Sequence, residues 1–136
     1  MEKWIISANS NYFDHSRAFH EKGYIDWKQT ANYQVGDIVY LYVTKPISKI
    51  QFKTEVTAIN MGENDITDLS VYWKIEKPNG DTQKKVRYAR LKLLKEFESD
   101  IFSFEKVKKY GLTYPPQGAC RVKDKLKGFL ESTEGK

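Results

Sequence analysis

The chain has 136 residues, 40% of them hydrophobic and 14% aromatic, which is enough for one domain over residues 1–136 with a full core and rings to spare. Lys plus Arg number 23 against 18 Asp plus Glu, a net charge of +5 that favours anionic partners without naming one. No apolar run nears the ~20 residues of a membrane span, the N-terminus lacks a secretory pattern, and a lone Cys120 excludes an internal disulfide and argues against a cysteine metal site, so a reducing cytoplasm fits best.

Lys3 to Ala8 reads as a short buried strand. Asp14 is placed to cap a helix running to Lys22, and Gly23 suits its stop. A polar stretch follows, with Trp27 set between Asp26, Lys28 and Gln29. Ile38 to Thr44 is apolar on both faces, as in a strand covered on both sides. Lys45-Pro46 breaks it. Ile50 to Ala58 then alternates, with Ile50, Phe52, Thr54, Val56 and Ala58 inward.

Met61 to Thr67 is loop-like. Leu69 to Glu76 and Thr82 to Tyr88 flank Pro78-Asn79-Gly80-Asp81, a hairpin signal. The Leu91/Leu93 alternation favours a further strand over Arg90 to Leu94. Ser103 to Tyr110 has the charge order of a short helix, with Glu105 early, lysines late and Gly111 as the stop. Thr113 to Ala119 is irregular, and Asp124 to Glu131 carries Leu126, Phe129 and Leu130 at core spacing for a last helix. The sum is an α+β fold of five or six mostly antiparallel strands, with short helices at the periphery and the sheet curled into a small barrel.

Catalysis finds little footing. His15 and His20 stand five positions apart, not the four that place two ligands on one helix face, so no metal or cofactor is expected. Cys120 reads as a small hydrophobe, no glycine-rich phosphate loop is present, and no carboxylate pair asks to be acid and base. A binding module without enzymatic activity is the better-supported class. Unpaired bases are recognised by stacking on aromatic faces while side chains read their polar edges. Trp27 supplies a ring, Asp26 an acceptor for a cytosine-type amine, and Gln29 and Asn9 supply amides. Trp4 and Trp73 read as core. Lysine and arginine clusters at Lys84, Lys85 and Arg87, at Lys106 to Lys109, and at Lys123 to Lys127 are candidates for a phosphate track.

WIISAN at the start, YIDWKQTANYQVGDIVYLYV, KIQFKTEV, YARLKLL and the late PQGACR together resemble an EVE-type domain of the PUA-like superfamily. That group is related to the YTH readers of methylated adenine, and EVE-like modules also occur fused to HNH nucleases. The resemblance implies a twisted small barrel with a pocket for a flipped, modified base. It places Trp27 in an aromatic cage and Asn9 on the base, with Tyr33 or Tyr42 closing the cage and Tyr24 as a further alternative. Gln117 and Arg121 then approach the pocket or the phosphate, with Lys28, Lys84, Lys85 and Arg87 on the backbone. Lys28 stands where the YTH pattern has a small hydroxyl residue, and Gly118-Ala119-Cys120-Arg121 replaces a Gly-Pro-x-Arg turn. The expected partner is DNA or RNA carrying a modified base, with a methylated cytosine-type base in DNA favoured, bound by a monomer away from membranes. A partner nuclease, if any, is another chain. The alternative is a module for a small nucleotide or a protein.

Overall fold

Six strands make one sheet in the order β2-β5-β4-β3-β1-β6 in the computed structural model, which describes residues 1–75 and 86–134. They are β1 (Lys3–Ala8), β2 (Tyr24–Lys28), β3 (Ile38–Val43), β4 (Lys49–Met61), β5 (Tyr88–Glu96) and β6 (Cys120–Arg121). Three helices complete the frame: α1 (His15–Lys22), α2 (Phe104–Val107) and α3 (Asp124–Thr133). Only β1 and β3 pair in parallel; every other neighbouring pair is antiparallel. The hairpin expected at residues 78–81, with Lys84 and Lys85, lies outside the described residues.

Local chemistry accounts for most boundaries. The Asp14 carboxylate accepts from the Arg17 amide at 3.1 Å and starts α1. Gly23 ends it at φ 81°, a left-handed conformation that glycine adopts without strain, and its amide donates to the Phe19 carbonyl. All six residues of β3 are buried because the sheet is covered on both faces. One apolar layer gathers Trp4, Ile6, Leu41, Phe52 and Leu91 against Phe13 and Phe19. The other gathers Ile5, Tyr40, Tyr42 and Ile50 against Phe102, Val107, Leu126 and Leu130.

A bulge divides β4 between these layers. Leu41 pairs with Phe52 but Tyr42 pairs with Ile50, so Gln51 is an extra residue and the side chains change faces there. The inward set expected for this strand is therefore buried through Val56, but Ile50 and Phe52 serve opposite layers.

Two segments differ from the sequence reading. Tyr24 to Lys28, within the polar stretch, is the edge strand β2, paired with β5. Leu69 to Tyr72, expected as strand, turns through a short 3₁₀ segment at Ser70–Tyr72. Leu69 and Tyr72 go inward three positions apart while Val71 stays exposed, a helical rather than a strand period. The expected barrel is an open ladder, with β2 and β6 as its ends among the described strands. The ends nevertheless approach: the Ala119 amide, just before β6, donates to Thr30 Oγ1, just after β2, at 3.2 Å. Among the described residues no helix is long and apolar enough to cross a membrane.

Candidate functional site

Trp27 sits on the edge strand β2 opposite Ala89. Its neighbour in space is Trp73. That residue is fixed by a short pairing of residues 72–74 with residues 12–14. The Asp14 amide donates to the Tyr72 carbonyl and the Lys74 amide to the Tyr12 carbonyl, both at 2.8 Å, and Trp73 bridges to Phe13. The two indoles lie parallel, 6° between planes and 5.8 Å between centroids. Phe13 packs steeply inclined to both, with ring centroids 4.9 and 5.0 Å away and planes 65° and 70° apart, an edge-to-face type of contact. Both indoles are only half-buried and line a cavity of about 530 Å³.

The opposite wall is the loop through Thr67 to Ser70, and Asp26 is its strut. The Asp26 carboxylate, with no exposed side-chain surface, accepts from Arg90 Nε at 2.8 Å and Nη2 at 3.0 Å. It also accepts from the Thr67 amide at 2.8 Å. Arg90 in turn lies over the Tyr24 ring at 4.5 Å, and the Tyr24 hydroxyl shares a hydrogen bond with Thr67 Oγ1. These bonds occupy the oxygens of Asp26, so its expected part as a reader of the base edge gives way to holding the loop against β2.

The described charged lining of the cavity is acidic. Glu63 and Asp68 line it, and no Lys or Arg does among the described residues. Hydrogen bonds from the Ser70 amide and hydroxyl hold the Asp68 carboxyl below its usual range, so it is ionised at neutral pH. Burial pushes the Tyr88 phenol up, and the nearby Glu63 charge adds to that. Behind Trp27 lies His15, its ring 5.0 Å from the indole. Neither ring nitrogen of His15 has a hydrogen-bond partner, and burial lowers its pKa to about 4 against a weaker opposing pull from the Phe13 backbone.

The other expected site residues stand elsewhere. Tyr33 is buried against Trp4, ring centroids 5.4 Å apart. Tyr42 is buried in the opposite apolar layer, facing Phe104. Asn9 lines a separate groove with Tyr42 and Tyr114, and its side-chain oxygen accepts from the Asn11 amide. The structure thus brings none of Asn9, Tyr33 and Tyr42 into the Trp27 cavity: Tyr42 follows the alternation of β3 to the opposite layer, Tyr33 packs on Trp4 from the segment after β2, and Asn9 sits in its own turn. Gln29 is buried, donating to the Ala31 carbonyl and accepting from the Asn60 amide, so it shapes the end of β2.

Arg87 is exposed and braced by Asn60 and Asn32 at 3.1 and 2.9 Å. Lys28 is exposed at the end of β2, and Gln117 is exposed in the irregular segment before β6. Arg121 lies over Trp4 at 5.3 Å and faces another groove, with Tyr110 and Lys123. Cys120, expected as a small hydrophobe, is exposed on β6 because that two-residue strand is an edge of the sheet. Sequence reasoning missed Trp73 and Phe13. The run Leu69 to Glu76 resembles a strand, and that reading hides Trp73 in the core.

No protein-family model matches this sequence, and no curated protein is a significant match. Solved structures do match in fold. ASCH from Zymomonas mobilis superposes with a TM-score of 0.61 at 12% identity, over 97% of this chain and 95% of that one. A protein of Rhodopseudomonas palustris gives 0.66 at 13%, over 99% and 94%. A hypothetical protein from Leishmania major gives 0.63 at 15%, over 99% and 95%. The chain thus shares its α+β fold with these proteins. At these identities the likeness concerns the fold alone.

Proposed function

We propose that this chain is a nucleic-acid-binding module of the EVE type that takes a flipped, modified base into the cage of Trp27, Trp73 and Phe13, with no catalysis of its own. The observation that carries the reading is the parallel indole pair lining an open cavity. Both indoles are partly buried, and the loop held by Asp26 lines the same cavity. Stacking of a base on such rings contributes roughly 1–3 kcal/mol.

The polar wall suits a base that donates. Asp68 and Glu63 accept from an exocyclic amine, which favours cytosine- and adenine-type bases over thymine or uracil. A methyl group on the base adds apolar contact with an indole, about 1 kcal/mol when fully buried. Arg87 and Lys28, exposed beside the end of β2, supply charge for the flanking phosphates.

The test is a binding panel of single-stranded and duplex DNA and RNA oligonucleotides, each with one modified base. Wild type binds at least one modified strand more tightly than its plain counterpart. Trp27→Ala and Trp73→Ala each lose that preference while their circular dichroism stays native. Equal affinity for modified and plain strands across the panel overturns the reading.

A further inference from the structure

The irregular segment before β6 is anchored at both ends. The Leu112 amide donates to the Val107 carbonyl at 3.3 Å, and Ser7 Oγ of β1 donates to the Pro116 carbonyl at 2.6 Å. Pro115 and Pro116 fix two φ angles between these points. Tyr114 is presented from this braced stretch and is 66% exposed. Two cavities flank it, with Thr113 and Tyr114 as their common wall. The larger, about 520 Å³, lies where the parallel strands β1 and β3 end and takes in Asn9, Thr44 and Lys45. The smaller, about 160 Å³, takes in Arg121 and Lys123. We propose that this double groove is a second binding site, distinct from the cage, for a plain stretch of single-stranded nucleic acid, with one base stacked on Tyr114 and a phosphate to either side of it.

The charged residues that line the two cavities are cationic, and no Asp or Glu lines either among the described residues. Lys45 and Lys123 are exposed, and neither forms an ion pair among the described residues. Arg121, held over the Trp4 ring, adds a fixed charge beside Lys123. A cationic groove interrupted by an aromatic ring is the arrangement that holds single strands: lysines follow the phosphates, and any base stacks on the ring. Hydroxyls supply the polar floor of the larger cavity. Those of Tyr42 and Ser48 share a hydrogen bond, and that of Thr44 donates to the Ala8 carbonyl at 3.4 Å. Hydroxyls both donate and accept, so they select no particular base. Asn9 and Tyr42, expected in the cage, line this groove instead. A free nucleotide carries phosphate on one side only and leaves one cationic end unused, whereas a duplex keeps its bases stacked away from Tyr114. The site reads no modification, so it goes beyond the base-binding reading and uses none of the cage residues.

The probes are short plain strands of uridine and of thymidine, set against uridine monophosphate and inorganic phosphate. Binding to the full chain is read by calorimetry over a salt series. Both strands are expected to bind more tightly than either small probe. Tyr114 stands on the surface, so its variants keep the native circular dichroism. Tyr114→Ala weakens the plain strands by roughly tenfold, and Tyr114→Trp, with a larger stacking face, tightens them. Lys45→Gln with Lys123→Gln lowers the magnitude of the logarithmic salt slope by about 1 to 2. A strand with a modified base loses the same factor in Tyr114→Ala, so its advantage over the plain strand is retained. If Tyr114→Ala and the double lysine variant bind plain strands as wild type does, the second site falls, and the modified-base panel still decides the base-binding reading. If uridine monophosphate binds as tightly as the strands, the groove serves a free nucleotide and the inference falls. If Tyr114→Ala removes only the preference for a modified base, Tyr114 belongs to the cage and the inference falls as well.

Discussion

Asp26 stands beside Trp27 in sequence and looks like its chemical partner, but its carboxylate has three donors and no exposed side-chain surface. Asp26→Ala leaves the Arg90 guanidinium and the Thr67 amide without their acceptor. Because Arg90 remains a third exposed, the expected loss is about 2–3 kcal/mol rather than the larger cost of a fully buried pair, read by urea denaturation. His15 is the second residue whose environment sets a measurable property. Its folded pKa is depressed to about 4 by burial, below the ordinary 6.5 of the unfolded chain. Both states are neutral above pH 6.5, so the full stability is present there. Between pH 6.5 and 4 the unfolded state binds the extra proton, and stability falls by up to roughly 3 kcal/mol. His15→Leu removes two unpartnered buried nitrogens. The variant is expected to match or exceed wild-type Tm at pH 7 and to show a flatter decline in Tm between pH 6.5 and 4.

The elements that position the cage are short, and their ends decide where it stands. Gly23 closes α1 in a left-handed turn, and its carbonyl accepts from the Leu93 amide of β5 at 2.9 Å, which ties the helix to the sheet next to β2. Gly23→Ala meets no steric neighbour but forces an L side chain into φ 81°, at a cost of about 1 kcal/mol in thermal or denaturant unfolding. Elements with a strong local signal were legible beforehand: β1, β3, β4 and α1 follow from apolar runs, alternation, an Asp cap and a Gly stop. The cage was legible by half. Trp27 stands out because polar residues surround it. Trp73 does not, because the run LSVYWKI alternates like a strand. Its turn comes from pairing with residues 12–14, a contact far away in sequence that no local pattern announces. Tyr33 and Tyr42 misled for the converse reason: a tyrosine near a pocket motif looks available, but each is buried in one of the two apolar layers.

At the scale of the whole molecule, the contrast between a basic chain and an acidic cavity separates two kinds of contact. On the proposed function, the net charge of +5 attracts a polyanion and the pocket discriminates within it. Binding to an oligonucleotide is therefore expected to weaken with salt. Its logarithmic slope should have a magnitude of about 2 or more, since each neutralised phosphate contributes roughly 0.7–0.9. Preference for the modified base should stay nearly constant across the same salt series, because stacking in the cage releases no counterions. A flat affinity across that series assigns the chain to a small neutral ligand instead.

The central claim is tested most directly by the indole N–H signals. The chain has three tryptophans, and Trp4 is a built-in control, its Nε1 donating to the buried Asp37 carboxylate at 3.0 Å, away from the cage. Titration of ¹⁵N-labelled protein with a strand carrying a modified base is expected to shift the Trp27 and Trp73 indole resonances and leave Trp4 in place. Saturable binding that moves Trp4 alone, or none of the three, contradicts the account.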